Sequence, residues 1–261
     1  MINKKPQERR KRDDRQADVF SIDEWKPKTE VGKLVKNKEI TNIDEIIDAG
    51  LKIYEPEIVD ALVPELESDL LLLGQSKGKF GGGQRRAFKQ TQKKTREGNV
   101  IKFSTCAVVG NGNGYVGIGF GNSKETLPAR EKSVRNAKLN LIKIVRGSGS
   151  WESDTNQPHS IPFTVIGKCG SVEVKLMPAP KGTGLKAQSE IVKILKMAGI
   201  QDVWSKARGK TSSRLNLIKA TFEALKKTLS THTLLEQEAT IGLHEGRASQ
   251  SKEEQVEKDE E

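Results

Sequence analysis

Two cysteines, Cys106 and Cys169, are all that the 261-residue chain contains. They stand far apart and in no paired motif, which argues against a disulfide framework or a cysteine-rich zinc site and fits a reducing cytosol. His159, His232 and His244 are too scattered to gather a metal, so neither metal nor cofactor is expected. Aromatic residues make up 5% of the chain, too few to stack on many splayed single-stranded bases. No apolar run approaches the ~20 residues needed to span a bilayer. The opening MINKKPQERRKRDDRQ carries charge without the apolar core of a secretory signal. A soluble, cytoplasmic protein is expected. Catalytic groups are also missing: Cys169 beside Lys168 has no visible base partner, and paired carboxylates fall mainly in acidic segments where solvation explains them.

What is present is positive charge. Lys and Arg number 45 against 35 Asp and Glu, a net +10 with pI ≈ 9.5, the balance of a polyanion binder. Residues 231–261 hold nine acids and three bases, so residues 1–230 carry the remaining +16. The densest run is Lys77–Lys102, with nine bases (Lys77, Lys79, Arg85, Arg86, Lys89, Lys93, Lys94, Arg96 and Lys102) and one acid, Glu97. Glycines 78 and 81–83 let its backbone lie close to a phosphate chain while the bases neutralise it. These nine residues, with Lys181, Arg208 and Lys210, are the candidate RNA-binding set.

The chain divides into an N-terminal extension (1–64), an α+β unit (65–149), a second β-α unit (150–230) and a flexible acidic tail (231–261). In the extension, Ile43–Ala49 reads as a short helix stopped by Gly50, Pro56 and Pro64 punctuate two further segments, and Leu70–Leu73 reads as a buried helix end. From Glu55 to Asp69 there are six acids and no base, so RNA is not expected there. Strands follow at about Phe88–Thr95, Ile101–Val109 and Tyr115–Phe120, the last two joined by the glycine turn GNGNG. Gly117 and Gly119 leave one face of the last strand bare for a close approach. A helix is expected from Thr126 to Val145, buried through Val134, Ala137, Leu141, Ile144 and Val145, and then a linker at Gly147-Ser148-Gly149. The second unit reads as a hairpin (161–177), the loop PAPKGTG, a helix ending at Gly199, a strand at Val203-Trp204 and a helix striped by Leu215, Ile218, Phe222, Leu225 and Leu229. Its β–α–β–α order predicts a parallel pair inside a mixed sheet.

GNGNGYVGIGFGNSKETLPAREKSVRNAKLNLI, PAPKGTG, AGIQDVWSKARG and NLIKATFEAL occur in that order, and together they resemble small-ribosomal-subunit protein five. EPEIVDALVP and KGKFGGGQRR resemble the archaeal and eukaryotic branch of that family. The resemblance implies a fold of two parts, a domain similar to double-stranded-RNA-binding domains (helix, three-stranded antiparallel sheet, helix) and a C-terminal β-α sandwich. It implies a structural constituent of the small subunit that binds ribosomal RNA and the neighbouring ribosomal proteins four, three and eight. It further implies a place near the path by which mRNA enters, with roles in subunit assembly and decoding accuracy. TQKKTREGN stands where the family has its RNA-contacting loop; its tip, Arg96-Glu97-Gly98-Asn99, departs from the Lys-Gly-Gly-Arg-like tip of bacterial relatives. Trp151–Thr155 stands where some archaeal relatives carry cysteines.

Two other functions compete. PAPKGTG precedes a helix and suggests a small-molecule kinase, but it lacks Walker spacing and Lys181 comes before its glycines. A free-standing double-stranded-RNA binder would show the same charge. The ribosomal reading, without catalysis, accounts for most of the motifs.

Overall fold

A computed structural model describes residues 25–76, 83, 85–150, 152, 157–230 and 242–246. The basic arm before Trp25, together with Lys77 and Lys79, lies outside the described residues. No helix among those described is long and apolar enough to cross a membrane.

Three short helices open the described chain: α1 (Glu30–Lys36), α2 (Ile43–Asp48) and α3 (Pro56–Leu62). Helices of six or seven residues are unstable alone, so packing must hold them. Trp25, Val35, Ile46 and Ile58 form one buried cluster, and Ile43, Val59 and Val63 form a second with Tyr115 and Leu141 of the following sheet. Trp25 and Val35 are thus anchored within the chain itself. Three of the six acids between Glu55 and Asp69 also find partners within the chain. Asp60 meets Lys138 at 2.6 Å, Asp69 meets Lys193 at 2.7 Å, and Glu55 accepts N–H bonds from Lys28 and Thr29.

The first sheet contains β1 (Glu67–Leu71), β2 (Lys89–Thr95), β3 (Gly98–Gly110), β4 (Tyr115–Ser123) and β5 (Leu141–Lys143), all antiparallel. β1 pairs with Cys106–Gly110 and β2 with Gly98–Ser104 of the same strand, so they form one interrupted edge. The basic strap, residues 77–88 of the sequence, falls between these two segments. Leu70 and Leu71, expected in a helix end, are strand residues; a short apolar run fits a buried strand as readily as a helix. The sheet is therefore five-stranded, with β1 and β5 added to the three strands expected.

Helix α4 (Thr126–Leu139) is shorter than predicted, because the chain after Asn140 turns extended and pairs with β4 as β5. Its buried face is also different: Ala129, Ser133 and Ala137 face the sheet. Small residues are needed because Gly117, Gly119 and Gly121 let the helix backbone lie directly on β4. A Cβ on Gly119 would come within 2.1 Å of Ser133 O and Ala137 N. After β6 (Val145–Arg146), the expected linker is packed structure. Gly147 bridges Ser160, Ser148 is buried, and a Cβ on Gly149 would strike Pro162 O.

The second sheet has the order β7 (Val165–Cys169), β8 (Val172–Pro178), β10 (Val203–Arg208), β9 (Leu185–Lys186). A parallel pair is present, as expected, but its members differ: β10 runs antiparallel to the hairpin strand β8 and parallel to β9, a two-residue strand ahead of α5 (Ser189–Met197) that the sequence did not announce. α6 (Arg214–Leu229) buries Leu217, Ile218, Ala220, Thr221, Ala224 and Leu225. Its stripe is rotated from the expected one, leaving Leu229 exposed. α5 is wedged between the two sheets: Ile191, Ile194 and Leu195 share one continuous core with Cys106, Val108 and Val116 on one side and Val172, Leu176 and Val203 on the other. Within the segment read as a flexible tail, β11 (His244–Glu245) pairs with β6.

Candidate nucleic-acid interface

The interrupted edge explains how the basic run is displayed. β4 covers β3 only from Phe103 onward, so Gly98–Lys102 pairs with β2 alone and projects beyond the sheet, roughly 17 Å at ~3.4 Å per residue. Every residue of β2 is exposed. Cross-strand partners share a face. The pairs Lys89↔Ser104, Thr91↔Lys102 and Lys93↔Val100 therefore place Lys89, Lys93 and Lys102 together. Lys94, opposite Asn99, points to the other side. Arg96 is not a strand residue. With Glu97 it forms the tight turn that Gly98 closes at φ +119°, so strand alternation does not set its direction.

The base of the strap is pinched shut. Gly74 N–H donates to Arg86 O at 2.8 Å, Ser76 bridges Arg85, and a Cβ on Gly74 would lie 2.3 Å from Phe88 O. Arg85, Arg86, Phe88 and Lys89 line a cavity of about 270 Å³ there. Arg86 is exposed and Arg85 half-buried. Burial holds the Arg214 guanidinium below its usual range, and nearby Arg85 adds to that shift while Glu190 opposes it. Arg85 thus faces inward at least in part, toward the start of α6.

The remaining candidates are not part of one patch with these. Lys181 is exposed in the loop after β8, where its Nζ donates to Gln157 Oε1 at 2.7 Å. That loop enters β9 before any helix begins, and Gly184 N–H is taken by Asp202 Oδ1 at 2.7 Å. Arg208 and Lys210 are exposed at the far end of β10. Pro178, just before the Lys181 loop, pairs with Val203, whereas Arg208 pairs with Glu173, so the two groups mark opposite ends of the sheet.

GNGNG is a hairpin turn, as its glycines predict. Its Gly112 and Gly114 N–H groups donate to Met197 O and Ala198 O at the end of α5. Donors that a phosphate would need are spent joining the two sheets.

Sequence reading missed a buried polar set. His159 Nδ1 lies 3.0 Å from Asp202 Oδ2, and Ser148 Oγ lies 3.5 Å from His159 Nε2. The order resembles a nucleophile, base and orienting acid, but all three are buried. Asp202 O also accepts from Ser160 Oγ. The set ties the segment after β6 to the loop before β10. Beside it, Arg146, Lys196 and Gln157 help line a cleft of about 930 Å³. Cys106 is equally enclosed; burial, with Glu190 nearby, pushes its thiol up to about 12. Among the described residues no His, Cys, Asp and Glu group could hold a metal ion.

The family model for ribosomal protein S5, N-terminal domain, matches residues 86–145, and that for ribosomal protein S5, C-terminal domain, matches residues 167–238. Among curated relatives, the small ribosomal subunit protein uS5 of Nanoarchaeum equitans is 50% identical over 80% of this chain and 90% of its own length. Its namesake in Methanocaldococcus jannaschii is 45% identical over 87% of this chain and 98% of its own. That of Hyperthermus butylicus is 47% identical over 78% and 90%. Arg86 to Lys102 lies inside the first match, and Lys181, Arg208 and Lys210 inside the second.

Proposed function

The chain belongs to the ribosomal protein S5 family, and from that premise we propose that it grips small-subunit ribosomal RNA through its projecting β2–β3 hairpin and the strap beside it. It is a structural, non-enzymatic constituent of the small ribosomal subunit and binds RNA in translation. The observation that carries the proposed mode is the hairpin itself: a two-stranded arm clear of the core, with lysines on both faces and an arginine at its tip. An arm whose exposed side chains are polar apart from Ile101 gains little from standing away from the domain unless a partner surrounds it. Phosphate contacts dominate this mode and position the protein without reading sequence. Lys77 and Lys79 belong to the same basic run in sequence, and Arg208 and Lys210 provide a separate contact from the second unit.

The same proposal covers the finer roles. The units 65–149 and 150–230 act as one body, because α5 fills the core between them. Ribosomal proteins four, three and eight are the proposed neighbours, close to the path by which mRNA enters, with support for assembly and decoding accuracy following from that position in the cytoplasmic ribosome. Glu55, Asp60 and Asp69 pair within the chain, while Glu65 and Glu67 stay exposed and would repel RNA from that side.

Sedimentation of cell extract tests the assignment. The native protein should travel with small subunits, and Lys89→Ala/Lys93→Ala/Lys102→Ala should shift it toward the free fraction while remaining folded. Native protein found apart from small subunits that lack it would instead favour a free-standing RNA binder.

A further inference from the structure

Both helices of the second unit pack on one side of its sheet, α6 against β7 and β8 and α5 against the same core. Val165, Gly167, Val172, Val174, Leu176 and Val203 point to that side and are buried. The opposite face is not covered by any helix among the described residues. Sheets that face water commonly show polar side chains there. This one does as well, but an apolar diagonal crosses it.

Trp204 stands at its centre, 39% exposed. The strand register puts Met177 directly across from it on β8 and Lys186 beside it on β9. Ile166, 41% exposed, continues the apolar diagonal onto β7. Around that diagonal the same register aligns Ile166, Lys175 and Lys206 in one cross-strand row and Lys168, Glu173 and Arg208 in the next. With Lys186 the face holds five cations and one acid, and Lys168, Lys186, Lys206 and Arg208 are exposed.

We propose that this open face binds single-stranded RNA, with a base stacked on Trp204 and adjacent phosphates held by Lys186 and Lys206. A polyanion alone would be served by the cations. The indole adds what only an unpaired base can use, an exposed π-face at the level of the sheet, because bases inside a duplex are already stacked on each other. The cations flank the stacked base in two directions: Lys186 across on the adjacent strand, ~4.8 Å away, and Lys206 two residues along the same strand, ~7 Å away. Arg208, at the edge of the same face, adds a further cation. The site lies on β8, β9 and β10 and uses none of the hairpin residues.

The test uses the full-length chain with two fluorescent probes, a twelve-nucleotide oligouridine and an RNA duplex of twelve base pairs. Trp204→Ala should weaken oligouridine binding roughly 5- to 140-fold, the range of one lost base–aromatic stack. Duplex binding should change less than about twofold, and Trp204→Phe should recover most of the loss. Lys186→Ala/Lys206→Ala should lower the slope of log affinity against log salt by roughly 1.4 for the single strand. Oligouridine affinity unchanged by Trp204→Ala overturns the proposal, as does equal loss on both probes. Competition by a polyglutamate peptide as effective as by unlabelled oligouridine also overturns it, since the face would then read charge alone. If Trp204→Ala fails to fold, Trp204→Phe and the lysine pair decide the matter by the same measures.

Discussion

Arg214 Nη1 lies 3.0 Å from Oε1 of Glu190, and Glu190 has no exposed surface. The other carboxylate oxygen accepts the Leu72 N–H at 2.8 Å. One side chain at the start of α5 therefore holds the end of β1 and the start of α6. The two partners are unequal, because the Arg214 side chain retains 21% exposure and can turn to water.

That inequality sets an order of stability. Arg214→Ala leaves a buried carboxylate without its cation and should cost about 3 kcal/mol. Glu190→Gln keeps the shape and an acceptor and should cost about 1–2 kcal/mol. Urea midpoints of the two variants compare them directly. Equal losses would mean that the ion pair does not hold the three elements together.

The hairpin faces divide its phosphate contacts. Lys89→Ala/Lys93→Ala/Lys102→Ala should lower the salt slope of affinity for a small-subunit RNA fragment by roughly 2 to 2.7, at about 0.7–0.9 per contact. Lys94→Ala/Arg96→Ala should lower it by roughly 1.5. Circular dichroism should be unchanged in both, since Lys89, Lys93, Lys94 and Arg96 are all exposed. A flat response from one pair of faces would show which side of the arm meets RNA.

The contact between β4 and α4 tolerates no side chain. Gly119→Ala should destabilise by about 3 kcal/mol or more, because the new methyl meets backbone atoms that cannot step aside. Gly112→Ala is the control. Its φ of +71° strains an alanine, but nothing lies within 4 Å, so about 1 kcal/mol is expected. Thermal unfolding of both variants separates collision from backbone strain.

Glu55 makes the extension sensitive to acid. Burial works against its charge, but N–H bonds from Lys28 and Thr29, with help from the Thr29 and Trp25 side chains, outweigh it and hold the carboxyl below its ordinary 4.5. A lowered folded-state pKa contributes stability that is present above about pH 4.5 and lost as pH falls through the folded value. Glu55→Gln should therefore be less stable than the parent at pH 7 and converge on it in stronger acid. Urea midpoints across that range test the sign; a gap that widens on acidification would contradict it.

Local pattern was enough for much of this. Alternation along Ile101–Val109 and Tyr115–Phe120, the glycines of GNGNG and the stop at Gly199 all act between near neighbours, so their elements are legible without a fold. Leu70–Leu73 and Leu141–Val145 were misread because a short apolar run satisfies a helix or a strand equally, and only a partner decides: Ala107 and Cys106 for one, Val116 and Gly117 for the other. The glycine stripe announced that a backbone would come close, but it could not say that Ala129, Ser133 and Ala137 would be the face that came.

The amino-acid order by itself determined the family, the α+β class and the positive charge that makes the chain an RNA binder, since composition and motif order do not depend on distant contacts. The tertiary structure alone decided where that charge is available. Lys138, Lys143 and Lys193 are bases in the sequence like any others, but acids far along the chain pair with them. Lys186 and Lys206 meet around Trp204 only because β9 and β10 lie side by side. Charge is a property of a residue, whereas its neutralisation or display depends on which residues folding places within a few ångströms.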